Sequence, residues 1–272
     1  MNIIKVMGGI GNQFFQYAFG RVMSLNNVQV AYDISWCKMA EGKRYPRPFR
    51  LDKFNTELFI ADFISKQPLV LDHRVGFNLS LFDLRDHNFE GYWQYLPYYV
   101  KILPILKNEL QLKTEFYTDK FMEIANIILE TEDSVAVHVR RGDYLTHKGI
   151  FRDLPAKYYF NALRSIPKGD LFIFSDDLPW CKDKFKPVYF NRKLYFVDLD
   201  DYLCFELMRL CKHKLICNST FSYWAALLND CGTVVRPRHW LGEMPERSDE
   251  IHYPKHWIKA EDYVNYKSVG VY

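Results

Sequence analysis

From residue 134 onward, short apolar runs rich in β-branched and aromatic residues alternate with stretches of helical spacing at least four times. Strands are predicted at 134–139, 171–174, 194–197, 215–217 and 233–235. Helices are predicted between them at 156–164, 178–185 and 202–211, and from the capping signal Asn218-Ser219-Thr220 to about Leu228. Such a series has few solutions, because each crossover needs parallel strands with helices covering both faces. The unbroken run at 134–139 suits a strand buried on both sides. A second unit of this kind opens the chain. A strand at 3–7 runs into Gly8-Gly9-Ile10-Gly11-Asn12-Gln13. Apolar residues then recur at Phe14, Phe15, Ala18, Phe19, Val22 and Met23, the spacing of an amphipathic helix. A strand at 28–32 ends at Asp33. Residues 35–80 are irregular by pattern and carry the basic loop Arg44-Tyr45-Pro46-Arg47-Pro48-Phe49-Arg50; 89–95 is strand-like and aromatic, and 98–110 and 118–130 are helical. The expectation is an α/β protein of two facing Rossmann-like domains with a central cleft. The first spans 1–132 and the second 133–272, divided near the charged Glu130-Thr131-Glu132-Asp133, with the last residues packing back on the first domain.

Composition narrows the function. With 36 Lys+Arg against 33 Asp+Glu the net charge is +3 over 272 residues, and no basic stripe runs along the chain. This excludes the electrostatic footprint of a nucleic-acid binder and leaves room for a small anionic substrate. Aromatic residues reach 17%; most fill core, and some suit a sugar or base site. No apolar run approaches a membrane span. The first residues read as a strand and not as a signal peptide. The six cysteines show no CxxC pair and read as reduced thiols; the four within 204–231 lie on apolar segments and read as buried structural thiols rather than metal ligands. A cytoplasmic protein is expected.

In open α/β sheets, ligands bind beyond the carboxyl ends of the strands. The polar residues of this chain fall at such places: 8–13, 138–143, Asp176-Asp177 and 218–222. The first is two thirds of a dinucleotide fingerprint. Its third glycine is replaced by Phe14, while Asp33 lies 22 residues after Gly11, where a ribose-binding acid would stand. It reads as a phosphate or sugar-nucleotide turn, an NAD turn, or a tight turn with no ligand; Asn12 and Gln13 are candidate donors. Two consecutive arginines, Arg140 and Arg141, at the end of a buried strand are costly unless an anion meets them. A phosphate would do so, as would a structural pair with Asp143, Asp176 or Asp177. Asp198-Leu199-Asp200 matches a metal-binding Asp-x-Asp and equally the cap of the helix after it. Asn218-Ser219-Thr220-Phe221-Ser222 opens a helix whose free N–H groups suit an anion.

Five blocks occur in one order: Gly8-Gly-Ile-Gly-Asn-Gln-Phe-Phe-Gln-Tyr-Ala-Phe19, Gly91-Tyr-Trp-Gln94, His138-Val-Arg-Arg-Gly-Asp-Tyr144, Phe174-Ser-Asp-Asp177 with Trp180-Cys-Lys182, and Asn218-Ser-Thr-Phe-Ser-Tyr-Trp-Ala225. Together they resemble glycosyltransferase family 11, the α-1,2-fucosyltransferases, in a bacterial member. The resemblance implies a GT-B-like fold, GDP-L-fucose as donor, a β-galactoside-containing glycan as acceptor, inversion at the sugar carbon, and neither metal nor cofactor. By the same resemblance Arg140 would hold the β-phosphate, His138 would lie by the ribose, and Asp176 by the guanine edge. Ser219, Thr220 and Phe221 would hold phosphate, Gly9 and Gly11 would line the donor, and Asn12 would face it from the first domain. Asp143 is a candidate base or an orienter of an arginine. Acceptor recognition is expected from the first domain and the 91–95 stretch. A lipid-linked acceptor would allow peripheral membrane association. The competing readings are an NAD-type oxidoreductase and a non-catalytic nucleotide-sugar-binding protein.

Overall fold

The computed structural model describes residues 1–40, 47–61, 65–146, 153–186, 191–229, 231–240 and 252–260. Arg44-Tyr45-Pro46 of the basic loop and the terminal 261–272 lie outside the described residues. The chain divides into two units, Met1–Tyr117 and Thr118–Tyr272. The division precedes the helix at 119–130, which the sequence reading had placed in the first unit. That helix buries Phe121, Ala125 and Ile128 and packs on the Asp201–Leu210 helix of the second unit.

The first unit is built on a parallel sheet of β1 (Asn2–Lys5), β2 (Val30–Asp33), β3 (Leu69–Leu71) and β4 (Asn88–Glu90), in the order β2-β1-β4-β3. Its helices are α1 (Ile10–Leu25), α2 (Ser35–Ala40), α3 (Asp72–Val75), α4 (Leu96–Tyr99) and α5 (Leu103–Glu109). Helix α1 buries Phe14, Phe15, Ala18 and Phe19, each such ring contributing about 1.5–3 kcal/mol by leaving water. The chain puts its close helix–strand approach at Gly20, where a Cβ would stand 2.7 Å from Tyr32 Oη and 3.1 Å from Ile4 Cγ1. Two expectations are corrected. The irregular 35–80 segment contains α2, β3 and α3; β3 has only three residues, too short to carry a period. The helical 98–110 stretch is split into α4 and α5, each with a proline in its first turn, where the missing N–H costs nothing.

The second unit carries a six-stranded parallel sheet in the order β10-β9-β8-β5-β6-β7. Its strands are β5 (Val135–Val139), β6 (Leu171–Ser175), β7 (Leu194–Val197), β8 (His213–Leu215), β9 (Val234–Arg236) and β10 (Ile258–Lys259). Its helices are α6 (Asp119–Glu130), α7 (Ala156–Ala162), α8 (Leu178–Lys184), α9 (Asp201–Leu210) and α10 (Thr220–Leu228). On β5, Val135, Val137 and Val139 enter a core with Tyr158, Tyr159, Leu163 and Phe185. The alternate residue His138 turns to the other face, its ring 5.2 Å from that of Phe221. Strand β8 ends two residues before the expected 217, and the edge strand β10 was not anticipated.

Both sheets start in the middle. From β1 the chain adds β2 on one side and then β3 and β4 on the other; from β5 it adds β6 and β7, then β8, β9 and β10 on the far side. The order therefore reverses between β1 and β4, and between β5 and β8. At such reversals, beyond the carboxyl ends, an open α/β sheet leaves a crevice for a ligand.

Candidate active site

In the second unit the crevice between β5 and β8 is bounded by the 140–144 turn, Asp176 after β6, and the start of α10. Tyr144 Oη donates to the Asn218 carbonyl at 2.9 Å, tying the turn to the exit of β8. Tyr158 Oη donates to the Ile216 carbonyl at 2.6 Å. The two arginines have different surroundings. Arg140 Nη2 lies 2.5 Å from Asp143 Oδ1 and Nη1 lies 2.9 Å from Asp176 Oδ2. Arg141 turns away: Nε reaches Asp177 Oδ2 at 3.0 Å, Nη1 reaches Asp153 Oδ2 at 3.3 Å, and the guanidinium lies 4.3 Å from the centre of the Trp180 ring. Its backbone N–H donates to Asp176 Oδ1 at 2.9 Å. Asp177 also caps α8, accepting the Trp180 N–H at 3.1 Å. Arg141, Asp177 and Trp180 are thus one structural clamp, and Arg140 is the arginine left beside the crevice.

Burial disfavours the Arg140 charge, and the carboxylates of Asp176 and Asp143 more than offset it, so the group is held above the ordinary arginine range. Burial, assisted by Arg140, pushes His138 down to about 3, so its imidazole is neutral. Its Nδ1 lies 3.2 Å from Cys217 Sγ. Burial pushes that thiol up to about 12 against a weaker effect of Ser222. Ser219 is the N-cap of α10 by position but makes no side-chain cap bond. Thr220 and Phe221 follow in the first turn, where helix N–H groups lack an intrahelical acceptor. The structure thus gathers His138, Arg140, Asp143, Asp176, Ser219, Thr220 and Phe221 around one strand-end crevice.

The first unit has its own gathering. Gly8, at φ +82°, makes the turn into α1, and Gly9 is its N-cap with no side-chain bond. Gly11 is buried in the first turn. Half-buried Asn12 accepts from Gln94 Nε2 at 3.0 Å, which links the glycine turn to the exit of β4. Gln13 is not a ligand donor. It is fully buried; Nε2 donates to the carbonyls of Gly8 at 3.0 Å and Pro48 at 2.8 Å, and Oε1 accepts the Arg50 N–H at 2.9 Å. Gln16 is spent similarly, on the Met7 N–H and the Gly91 carbonyl. The aromatic stretch is also narrower than expected. Trp93 is buried and stacked on Phe19 at 4.3 Å, and Tyr95 is buried, leaving Tyr92 as its exposed ring.

The features behind the competing readings have local work. Asp33 accepts the Ser35 N–H at 2.9 Å at the start of α2, and Phe14 packs edge-on against Phe54 at 4.9 Å. Asp200 and Asp201 bond Tyr202 at the start of α9. Among the described residues no group of three or more His, Cys, Asp or Glu is placed to hold a metal ion. Two residues of this constellation escaped the sequence reading, Cys217 and Gln94 as the partner of Asn12. The adjacency of β5 to β8, and of β1 to β4, is what would have pointed to them.

Two parallel α/β units, each with polar residues at the reversal of its strand order, make a GT-B-like glycosyltransferase fold. The family model for glycosyl transferase family 11 matches residues 1–261, and the chain belongs to that family. It is 28% identical to an α-1,2-colitosyltransferase of Escherichia coli, over 95% of this chain and 98% of that one. It is also 28% identical to the O-antigen biosynthesis glycosyltransferase WbnK of Escherichia coli, over 86% and 93%. Among solved structures it is similar in fold to fucosyltransferase NodZ from Bradyrhizobium, with TM-score 0.52 at 13% identity over 84% of this chain and 92% of that one. A family 9 glycosyl transferase from Veillonella parvula DSM 2008 gives TM-score 0.50 at 10% identity, over 98% and 88%.

Proposed function

We propose that this family 11 glycosyltransferase is inverting and metal-independent, moving L-fucose from GDP-L-fucose to the 2-hydroxyl of a galactosyl acceptor. The observation that carries the reading is the placement of Arg140 at the strand-order reversal, 5.5 Å from the centre of the Tyr144 ring, whose hydroxyl bonds the Asn218 carbonyl at the approach to α10. As the sugar leaves, negative charge builds on the diphosphate. A fixed guanidinium and unspent helix N–H groups stabilise it without reorganisation. In this reading the second unit takes the donor: Arg140 meets the β-phosphate, Ser219, Thr220 and Phe221 receive phosphate oxygens, His138 lies by the ribose and Asp176 by the guanine. The diphosphate competes with Asp143 and Asp176 for Arg140. In the same reading the first unit takes the acceptor, with the exposed Tyr92 among its contacts, while Gly9 and Gly11 keep the donor-lining role and Asn12 the donor-facing role that the resemblance implies. The 2.5 Å contact with Arg140 favours Asp143 as an orienter of the arginine. A late, cation-like transition state needs only a weak base for the acceptor proton. An active Asp143→Asn with a flat pH–rate profile would assign it so; a bell-shaped profile lost in that variant would make it the base.

The α-1,2 linkage named for the E. coli colitosyltransferase supports the 2-hydroxyl, and favours a second donor, a nucleotide-linked colitose, within the same site. NodZ, whose fold is similar, has been soaked with GDP-fucose (TM-score 0.51). No helix among the described residues is long and apolar enough to cross a membrane; the reading places the enzyme in the cytoplasm, on free or lipid-linked glycans. The test offers GDP-fucose and the colitose donor to a panel of β-galactosides, with and without EDTA, and reads linkage and anomer by NMR. An EDTA-insensitive α-1,2-fucosyl product is expected. Thermal-shift runs with GDP and NAD separate the alternatives, since a ligand at a hundred times its Kd stabilises by about 2.7 kcal/mol. Stabilisation by NAD alone, or GDP-fucose binding without turnover, would overturn the proposal.

A further inference from the structure

His138 is 6% exposed, yet its Nε2 has no hydrogen-bond partner among the described residues, and it is not among the side-chain atoms sealed from solvent. Its other nitrogen is engaged by Cys217 across β5 and β8, at 3.2 Å. A neutral imidazole carries one N–H and one lone pair, and the bond made by one nitrogen decides which is which. Sulfur is a poor acceptor and imidazole nitrogen a good one, while the thiol is by far the stronger acid of the two. The proton between them therefore belongs to sulfur. We propose that Cys217 is a positioning residue for His138: its S–H, donated to Nδ1, holds the imidazole in the Nε2–H tautomer, so that a neutral donor of fixed direction serves the strand-end crevice. Both groups are uncharged, with the thiol pushed up and the imidazole down, so the pair is not a thiolate nucleophile. Arg140 supplies the charge for the phosphates, and His138 supplies a donor that pH leaves unchanged. This rests on the nucleotide reading above for the ligand, but not for the tautomer.

The test has two readings. Long-range proton–nitrogen spectra of the full chain labelled in histidine, without ligand and with His138 assigned through His138→Gln, should show the Nε2–H pattern. Cys217→Ala should lose that pattern to a tautomer mixture, and Cys217→Ser, which keeps a donor, should restore it. In GDP titrations, Cys217→Ala should bind about tenfold more weakly and Cys217→Ser within about threefold of the parent. An Nδ1–H pattern in the parent, or a Cys217→Ala variant unchanged in both readings, overturns the proposal. Should Cys217→Ala fail to fold, the parent spectrum and Cys217→Ser decide it. A parent that ignores GDP sinks the nucleotide reading, while the ligand-free spectrum still decides the tautomer.

Discussion

A Cβ on Gly142 would stand 2.4 Å from Asp176 Oδ2. The glycine is needed here for space and not for a left-handed backbone, since its φ is −12°. Asp176 cannot easily yield, because its two oxygens are taken by Arg140 Nη1 and the Arg141 N–H. Gly142→Ala is therefore expected to displace Asp176 and unsettle Arg140. Overpacking of this kind costs about 1–3 kcal/mol, or about 2–4 °C in Tm per kcal/mol for a chain of this size. Thermal unfolding and GDP titration check it, with GDP affinity expected to fall by about tenfold or more. Parent-like affinity would mean that Asp176 moves without consequence for the site.

The neighbouring arginines should separate activity from stability. Removing a principal charge partner of a transition state costs about 10²–10³ in kcat, and Arg140→Ala is expected to lose at least that with a folded protein. Arg141→Ala strips Asp177, Asp153 and Trp180 of their shared partner. Leaving such groups unpaired costs about 1–3 kcal/mol, so its main effect should be on Tm, with a smaller fall in kcat. Turnover at the parent rate in Arg140→Ala would remove the leaving-group role.

His138 gives a pH dependence of definite sign. Its folded pKa, about 3, lies below the ordinary histidine value because burial and Arg140 disfavour the charged ring. Between that value and about 6.5 the unfolded chain binds the extra proton. Stability from this group is thus complete above about 6.5 and falls with pH, by at most about 1.4 kcal/mol per unit. Tm measured from pH 7 to pH 4 should drop more steeply in the parent than in His138→Asn. Parallel curves would show that His138 titrates normally.

The thiols provide a check on burial. Cys181 is pushed up to about 11, and Cys204, Cys211 and Cys217 to about 12, all chiefly by burial. Two cysteines depart from the expectation of buried thiols: Cys231 is exposed and Cys204 is half-buried. A thiol reagent at pH 8 should modify Cys231 rapidly and the rest only on unfolding. Rapid modification of a further thiol, abolished by Cys217→Ser, would mean that the His138–Cys217 pair opens readily.

How much of this was legible in the sequence follows from range. Helix α1 and strand β5 are specified locally, by 3.6-residue periodicity and by a β-branched run: α1 spans the whole Phe14–Met23 spacing, and β5 lies within one residue of the expected 134–139. Strands β3 and β10 have three and two residues, too few to show a period, and exist because β4 and β9 pair with them. The motif residues His138, Arg140, Asp176 and Ser219 could be named from their positions at strand ends. Their partners could not. The division of labour between Arg140 and Arg141 is set by Trp180 and Asp153, and the fates of Asn12 and Gln13 by Gln94 and Pro48. Each is a contact between segments that only the strand order makes neighbours. Trp93 shows the same limit in reverse: a ring that reads as sugar-binding is stacked on Phe19 inside the core.

Asn12 and Gln13 sit side by side at the start of α1, and substitutions around them should part company. Gln13 is sealed, with both ends of its amide bonded to backbone. Gln13→Ala leaves two carbonyls and one N–H unmet, and should cost about 1–3 kcal/mol for each group left buried. Gln94 is half-buried, and its Nε2 donates to Asn12 Oδ1. Gln94→Ala should therefore leave Tm within a few degrees of the parent while freeing the Asn12 amide to rotate, which lowers kcat if that amide must be fixed toward the reacting groups. Preorganised donors matter because orientation is settled before the reaction. The pair of measurements is kcat at saturating donor and Tm for both variants. A Gln94→Ala enzyme with parent kcat, beside an Asn12→Ala enzyme that is inactive, would show that Asn12 acts without the help of Gln94. Parent kcat in both would take the first unit's glycine turn out of the chemistry altogether.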